Sequence, residues 1–115
     1  RELEWNTTYI YAINSIDKIL RVSEIDGFII GPYDLSASMG CPGDFENKEF
    51  NAVIDQICAS GEKAGKPGGI HVVEPELVKL QYYIDKGFKF IGYGMDIRFL
   101  DSICRDHLGK IGNMK

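Results

Sequence analysis

Apolar positions along this chain alternate between helical spacing and short unbroken runs. Ile10, Ile13, Ile16 and Leu20 recur at helical intervals, which predicts a helix over residues 9–21 with one buried face. Within 25–30 the run Phe28-Ile29-Ile30 is uninterrupted and suits a strand buried on both faces. Gly31-Pro32 should end that strand, and the small residues that follow predict a loop over 35–45. Phe50, Val53, Ile54, Ile57 and Cys58 then follow the i, i+3, i+4, i+7, i+8 rule of an amphipathic helix, with Gly65 placed as its left-handed cap. A strand over 68–73 comes next. Pro75 should open a helix whose face carries Leu77, Leu80, Gln81 and Ile84, and Gly87 should close it. A third strand spans 88–95. Asp96 is placed to cap a last helix bearing Phe99, Leu100 and Ile103.

Three strands alternating with helices imply βα units and a parallel sheet. In such sheets ligands gather at the carboxyl ends of the strands. The first carboxylates after each strand are Asp34, Glu74 and Asp96. Glu74, before Pro75, reads as a helix-start residue and Asp96 as a cap. Asp34 follows a buried strand and a Gly-Pro break, so its carboxylate should project at the ligand-binding edge, and Gly31 clears space for a ligand beside the backbone. Hard divalent cations such as Mg²⁺ or Mn²⁺ take oxygen ligands of this kind. The competing reading is that Asp34 caps a short helical turn over Leu35–Met39.

The composition narrows the class. At 115 residues, 44% apolar and 26% charged, the chain has room for one globular domain with a modest core. A net charge of −4 without basic clusters argues against nucleic acid or an anionic membrane as partner. No run approaches the roughly 18 apolar residues of a membrane span, and residues 1–5 lack the layout of a signal peptide. Cys41, Cys58 and Cys104 form neither a metal-binding pair nor a disulfide framework, so a reducing, cytoplasmic setting is expected. Cys41 has no adjacent cation to activate it.

The stretch Gly31-Pro32-Tyr33-Asp34-Leu35-Ser36-Ala37-Ser38-Met39-Gly40, followed by Pro42-Gly43, closely resembles the signature loop of the HpcH/HpaI aldolase/citrate lyase family. The resemblance continues through Ala64-Gly65-Lys66-Pro67-Gly68-Gly69, Glu74-Pro75, Gly87 to Ile91 and Gly94-Met95-Asp96, and reaches back to Ile16–Leu20 and Ile25-Asp26-Gly27. It implies an α/β fold: the C-terminal half of a TIM (β/α)8 barrel, with about three parallel βα units and a C-terminal helix over 12–115, preceded by an atypical segment over 1–11. It further implies an aldolase, a carbon–carbon lyase that cleaves 4-hydroxy-2-oxo or 2-keto-3-deoxy acids to pyruvate and an aldehyde. The cofactor implied is a divalent metal, Mg²⁺ or Mn²⁺ with Co²⁺ as a further candidate, which stabilises the enolate as it develops. By the resemblance, Asp34 is a metal ligand, Tyr33 offers its backbone N–H to the substrate carboxylate, Gly31 and Pro32 are expected to bind substrate with it, and the small-residue loop after Asp34 shapes the mouth of the site. The Ser36–Gly40 word is closer to short-chain keto-acid aldolases than to the CoA-dependent branch.

Two departures accompany it. The position of the family's other metal ligand, a Glu, falls on Thr8, and the neighbouring substrate-contacting amide falls on Asn6; Glu4 could substitute only by a slip of register. A complete barrel takes about 250 residues, and the family's catalytic His and substrate-binding Arg have no counterpart in this sequence. His71 is expected to line the barrel, and His107, Arg98 and Arg105 to be solvated. The chain is therefore expected to be inactive alone and to associate, as a homo-oligomer with exchanged C-terminal helices or with an N-terminal half supplied in trans. The alternative is a non-catalytic remnant that only packs against a partner.

Overall fold

The computed structural model describes residues 10–114, the side chain of Ile10 excepted. The elements run α1 (Ile10–Ile13), α2 (Ile16–Ile19), β1 (Phe28–Ile30), α3 (Pro32–Ser38), α4 (Lys48–Ala64), β2 (Gly68–Val72), α5 (Leu77–Asp85), β3 (Phe90–Tyr93) and α6 (Asp96–Ile111). The three strands form one parallel sheet in the order β1-β2-β3, with Ile30 opposite Ile70 and Ile70 opposite Ile91. The expected alternation of strands and helices is present.

Strand parity decides which side chains enter the core, because successive residues point to opposite faces. Phe28, Ile30, Ile70 and Val72 lie on the helix-covered face and are buried with Phe50, Ile54 and Ile57 of α4. Asn47 starts α4 by accepting the N–H groups of Glu49 and Phe50 at 2.9 and 3.2 Å, and Gly65 ends it at φ 66°. Of the apolar strand residues, Ile29 (51% exposed) and Phe90 (44%) stand on the other face. β1 is thus not buried on both faces. On that open face the Phe90 ring lies across Gly69, where a Cβ would come within 2.0 Å of it.

Several boundaries differ from the sequence reading. The helix expected over 9–21 breaks at Asn14-Ser15, two residues that favour turns. Ile13, Ile16 and Leu20 still share the buried side. The loop expected over 35–45 is helical up to Ser38, because Pro32 sits at the first helical position, where its missing N–H costs nothing. Pro75 precedes the cap of α5 rather than opening its first turn. The buried residue of α5 is Tyr83, whereas Leu77 (72%) and Ile84 (48%) of the expected face are exposed. Met95, not Asp96, occupies the cap position of α6, and the Asp96 carboxylate accepts the N–H of Ile97 at 2.7 Å. No residue of α6 is buried.

Candidate functional site

The carboxyl ends of β1 and β2 carry the chemistry-bearing residues. Gly31 caps α3 in an extended conformation (φ −93°, ψ 99°), so Pro32, Tyr33 and Asp34 form its first turn. Asp34 therefore does not cap the helix, since the helix starts two residues before it. Its carboxylate is exposed and lies where the helix dipole favours negative charge. The first intrahelical bond runs from Leu35 N–H to the Gly31 carbonyl at 3.0 Å. The N–H groups of Tyr33 and Asp34 precede that bond and have no intrahelical acceptor. An open carboxylate and two open N–H donors thus stand together at one strand end.

What fixes this turn is Ser36, the one polar residue buried to 0% exposure among those described. Its hydroxyl donates to the Tyr33 carbonyl at 2.9 Å and accepts the Gly43 N–H at 2.9 Å. The Ser36 carbonyl takes the Cys41 N–H at 2.9 Å. The segment after α3 is therefore wrapped around one residue. It brings Phe45 edge-on to the Tyr33 ring at 4.9 Å, and Phe45 rests on buried Phe50 at 5.6 Å. The sequence reading took Ser36 only as part of a small-residue loop.

Glu74 is not a helix-start residue. It receives Arg98 Nε at 3.1 Å and Nη2 at 2.7 Å, and Arg98 also holds Asp101 at 3.1 Å. Arg98 is thus not merely solvated, and its guanidinium is raised above its ordinary value by the hydrogen bond and charge of Glu74. This fork joins the end of β2 to the first turn of α6. Arg105 (78% exposed) and His107 are on the surface, as expected. His71 points to the open face of the sheet and contacts the Gly94 carbonyl at 3.1 Å through Nε2, which requires the proton on that nitrogen. Gly92 leaves room for its ring, since a Cβ there would come within 3.1 Å.

A hard divalent cation uses one or two carboxylates together with substrate and water. Asp34 supplies one. No group of three His, Cys, Asp or Glu side chains that could hold a metal exists among the described residues. Asn6, Thr8 and Glu4 lie outside the described residues. No helix among those described is long and apolar enough to cross a membrane.

Comparison with known proteins bears on the family and the fold. The HpcH/HpaI aldolase/citrate lyase family model matches residues 10–101. A 4-hydroxy-2-oxo-heptane-1,7-dioate aldolase of Shigella flexneri is 34% identical over 102 residues, 89% of this chain and 38% of the relative. A hydroxypyruvate/pyruvate aldolase of Roseovarius nubinhibens is 34% identical over 98 residues, 85% of this chain and 37% of the relative. The crystal structure of a family protein from Burkholderia cenocepacia J2315 superposes with a TM-score of 0.86 at 23% identity, covering 92% of this chain and 40% of that one. The chain spans about two-fifths of the length of the relatives it matches. With the family model covering most of its length, the chain belongs to the HpcH/HpaI aldolase/citrate lyase family.

Proposed function

We propose that this chain forms the C-terminal part of a TIM-barrel aldolase that cleaves 4-hydroxy-2-oxo or 2-keto-3-deoxy acids to pyruvate and an aldehyde. The observation that carries the reading is the first turn of α3, where an exposed Asp34 adjoins the open N–H of Tyr33 at the carboxyl end of β1. Tyr33 N–H donates to the carboxylate of the keto acid, and the Gly31-Pro32 break lets the substrate approach the backbone. Asp34 provides one oxygen ligand for Mg²⁺ or Mn²⁺. What such a cation supplies when bound is positive charge beside the oxygen that becomes negative. The general base and the substrate-binding Arg belong to the rest of the barrel, and the position of the second ligand falls on Thr8.

Proton exchange at the pyruvate methyl group, followed by NMR in deuterated water, tests this. The chain alone should not exceed the buffer-plus-metal background. With the preceding barrel strands of a relative supplied in trans, exchange should rise and be lost in Asp34→Asn. Exchange that survives Asp34→Asn sinks the assignment. Mn²⁺ calorimetry adds a second readout: the chain alone should bind very weakly. Micromolar binding lost in Asp34→Ala would place a second ligand within residues 1–9.

The same reading accounts for α6. Ile97 (63%), Leu100 (62%), Leu108 (68%) and Ile111 (58%) form a largely uncovered stripe along it, and unpartnered apolar surface of this kind favours association. We infer that α6 packs on a neighbouring copy, and sedimentation at low micromolar concentration should find oligomers. A monodisperse monomer with a sharp, reversible thermal transition overturns that inference.

A further inference from the structure

Beside Tyr33, a cleft of about 250 Å³ opens between the carboxyl end of β2, with His71 and Glu74 on its wall, and α5. Its walls include the rings of Tyr33, Phe45, Tyr82 and Tyr83, with Val78 (83% exposed) also lining it. Tyr83 is only 7% exposed. Its ring stands edge-on to Tyr82 at 5.1 Å and to Phe88 at 5.7 Å. The two adjacent tyrosines differ in one respect. The Tyr82 hydroxyl donates to Asn51 Oδ1 at 3.0 Å, whereas the Tyr83 hydroxyl has no hydrogen-bond partner among the described residues. Buried polar groups are almost always paired, so an orphan calls for a partner from outside the described residues. Burial, reinforced by Tyr82 and Glu46, pushes the Tyr83 phenol up to about 12, against the opposing charge of Lys86. It stays protonated at any physiological pH and offers a proton to an acceptor.

The charges around the cleft narrow what that acceptor belongs to. Lys79 is held by Glu76 at 2.9 Å, and Glu74 is taken by Arg98. Glu46 lines the cleft, is exposed, and acts electrostatically on the Tyr83 hydroxyl, so a carboxylate ligand would be repelled there. A cation would offer the hydroxyl no lone pair. We propose that the cleft binds a small uncharged molecule with a flat apolar body and an oxygen that accepts the hydrogen bond of the Tyr83 hydroxyl. Tyr33 links this cleft to the keto-acid site, because its ring lines the one and its N–H faces the other.

Acetophenone and ethylbenzene, alike in shape but differing in the acceptor carbonyl, are suitable probes. They would be titrated into the full chain and followed by NMR of the tyrosine rings. Acetophenone should bind about tenfold more tightly, the value of one hydrogen bond. Tyr83→Phe keeps the ring and removes only the hydroxyl; it should erase the preference while leaving the unliganded chain no less stable. Val78→Trp, which fills the cleft, should abolish both interactions. Equal affinity for the two probes, absence of binding, or a preference that persists in Tyr83→Phe each overturn the proposal. So does a Tyr83→Phe chain that is less stable without ligand, because the hydroxyl would then already be satisfied by trapped water.

Discussion

Helices α4 and α6 are nearly equal in length, 17 and 16 residues, and both carry apolar residues at helical spacing. In α4, Phe50, Ile54 and Ile57 are 0% exposed, whereas in α6 Leu100, Leu108 and Ile111 are all more than half exposed. The difference lies in what stands opposite. α4 covers β1 and β2, whose Phe28, Ile30 and Ile70 complete its packing. α6 leaves the end of β3 and touches the rest of the chain at its first turn, through Arg98 on Glu74 and through Phe99 on Tyr93 at 5.6 Å. Amphipathic spacing tells which face of a helix seeks burial, but not whether this chain supplies the surface that buries it.

The largest effect should come from the α4 side. Phe50→Ala should cost about 3–5 kcal/mol in urea unfolding, the usual range for a buried ring. A loss below about 1 kcal/mol would show that the α4 core is as loosely held as α6. Next comes the junction between core and site. Ser36→Ala leaves the Gly43 N–H without its acceptor and should cost about 1–3 kcal/mol. Faster amide exchange at Gly43, read by NMR, would accompany that loss. Unchanged exchange would mean that the wrapped segment is held by something other than Ser36.

Tyr83 sharpens the contrast through pH. Its phenol titrates at about 12 in the fold against 10.0 ordinarily, chiefly because of burial. A raised folded value means that the folded chain holds the proton more tightly than the unfolded one. The associated stability is complete below about pH 10 and is lost as pH rises through about 12. Thermal unfolding across that window should show an alkaline fall that Tyr83→Phe reduces. A fall of the same depth in the variant would assign it to other groups.

The smallest effect on unfolding belongs to α6. Leu108→Ala should change monomer stability by less than about 0.5 kcal/mol. Sedimentation should nevertheless show weaker self-association, since Leu108 lies on the stripe proposed to pack on a neighbour. A large loss of monomer stability would mean that α6 is packed within its own chain.

The site was partly legible before the fold. Asp34 and Tyr33 were singled out through a contiguous motif, and the structure places both in the first turn of α3. Ser36 lies in the same motif, but its role depends on Gly43 returning to it, which no local pattern encodes. Glu74 and Arg98 are 24 residues apart in sequence and meet only because β2 and α6 are brought side by side. The cleft around Tyr83 was invisible, since the helical spacing pointed to Leu77 and Ile84 as the inward face of α5.

Local spacing and turn chemistry determined the alternation of strands and helices, the parallel sheet, the α4 face and its Gly65 cap, because each depends on residues within a few positions of one another. The tertiary structure decided which face of each strand was covered, which carboxylates found cations and which hydroxyl was left without a partner among the described residues. Those outcomes depend on distances between residues far apart in the chain, and a hydrophobic pattern carries no record of such distances.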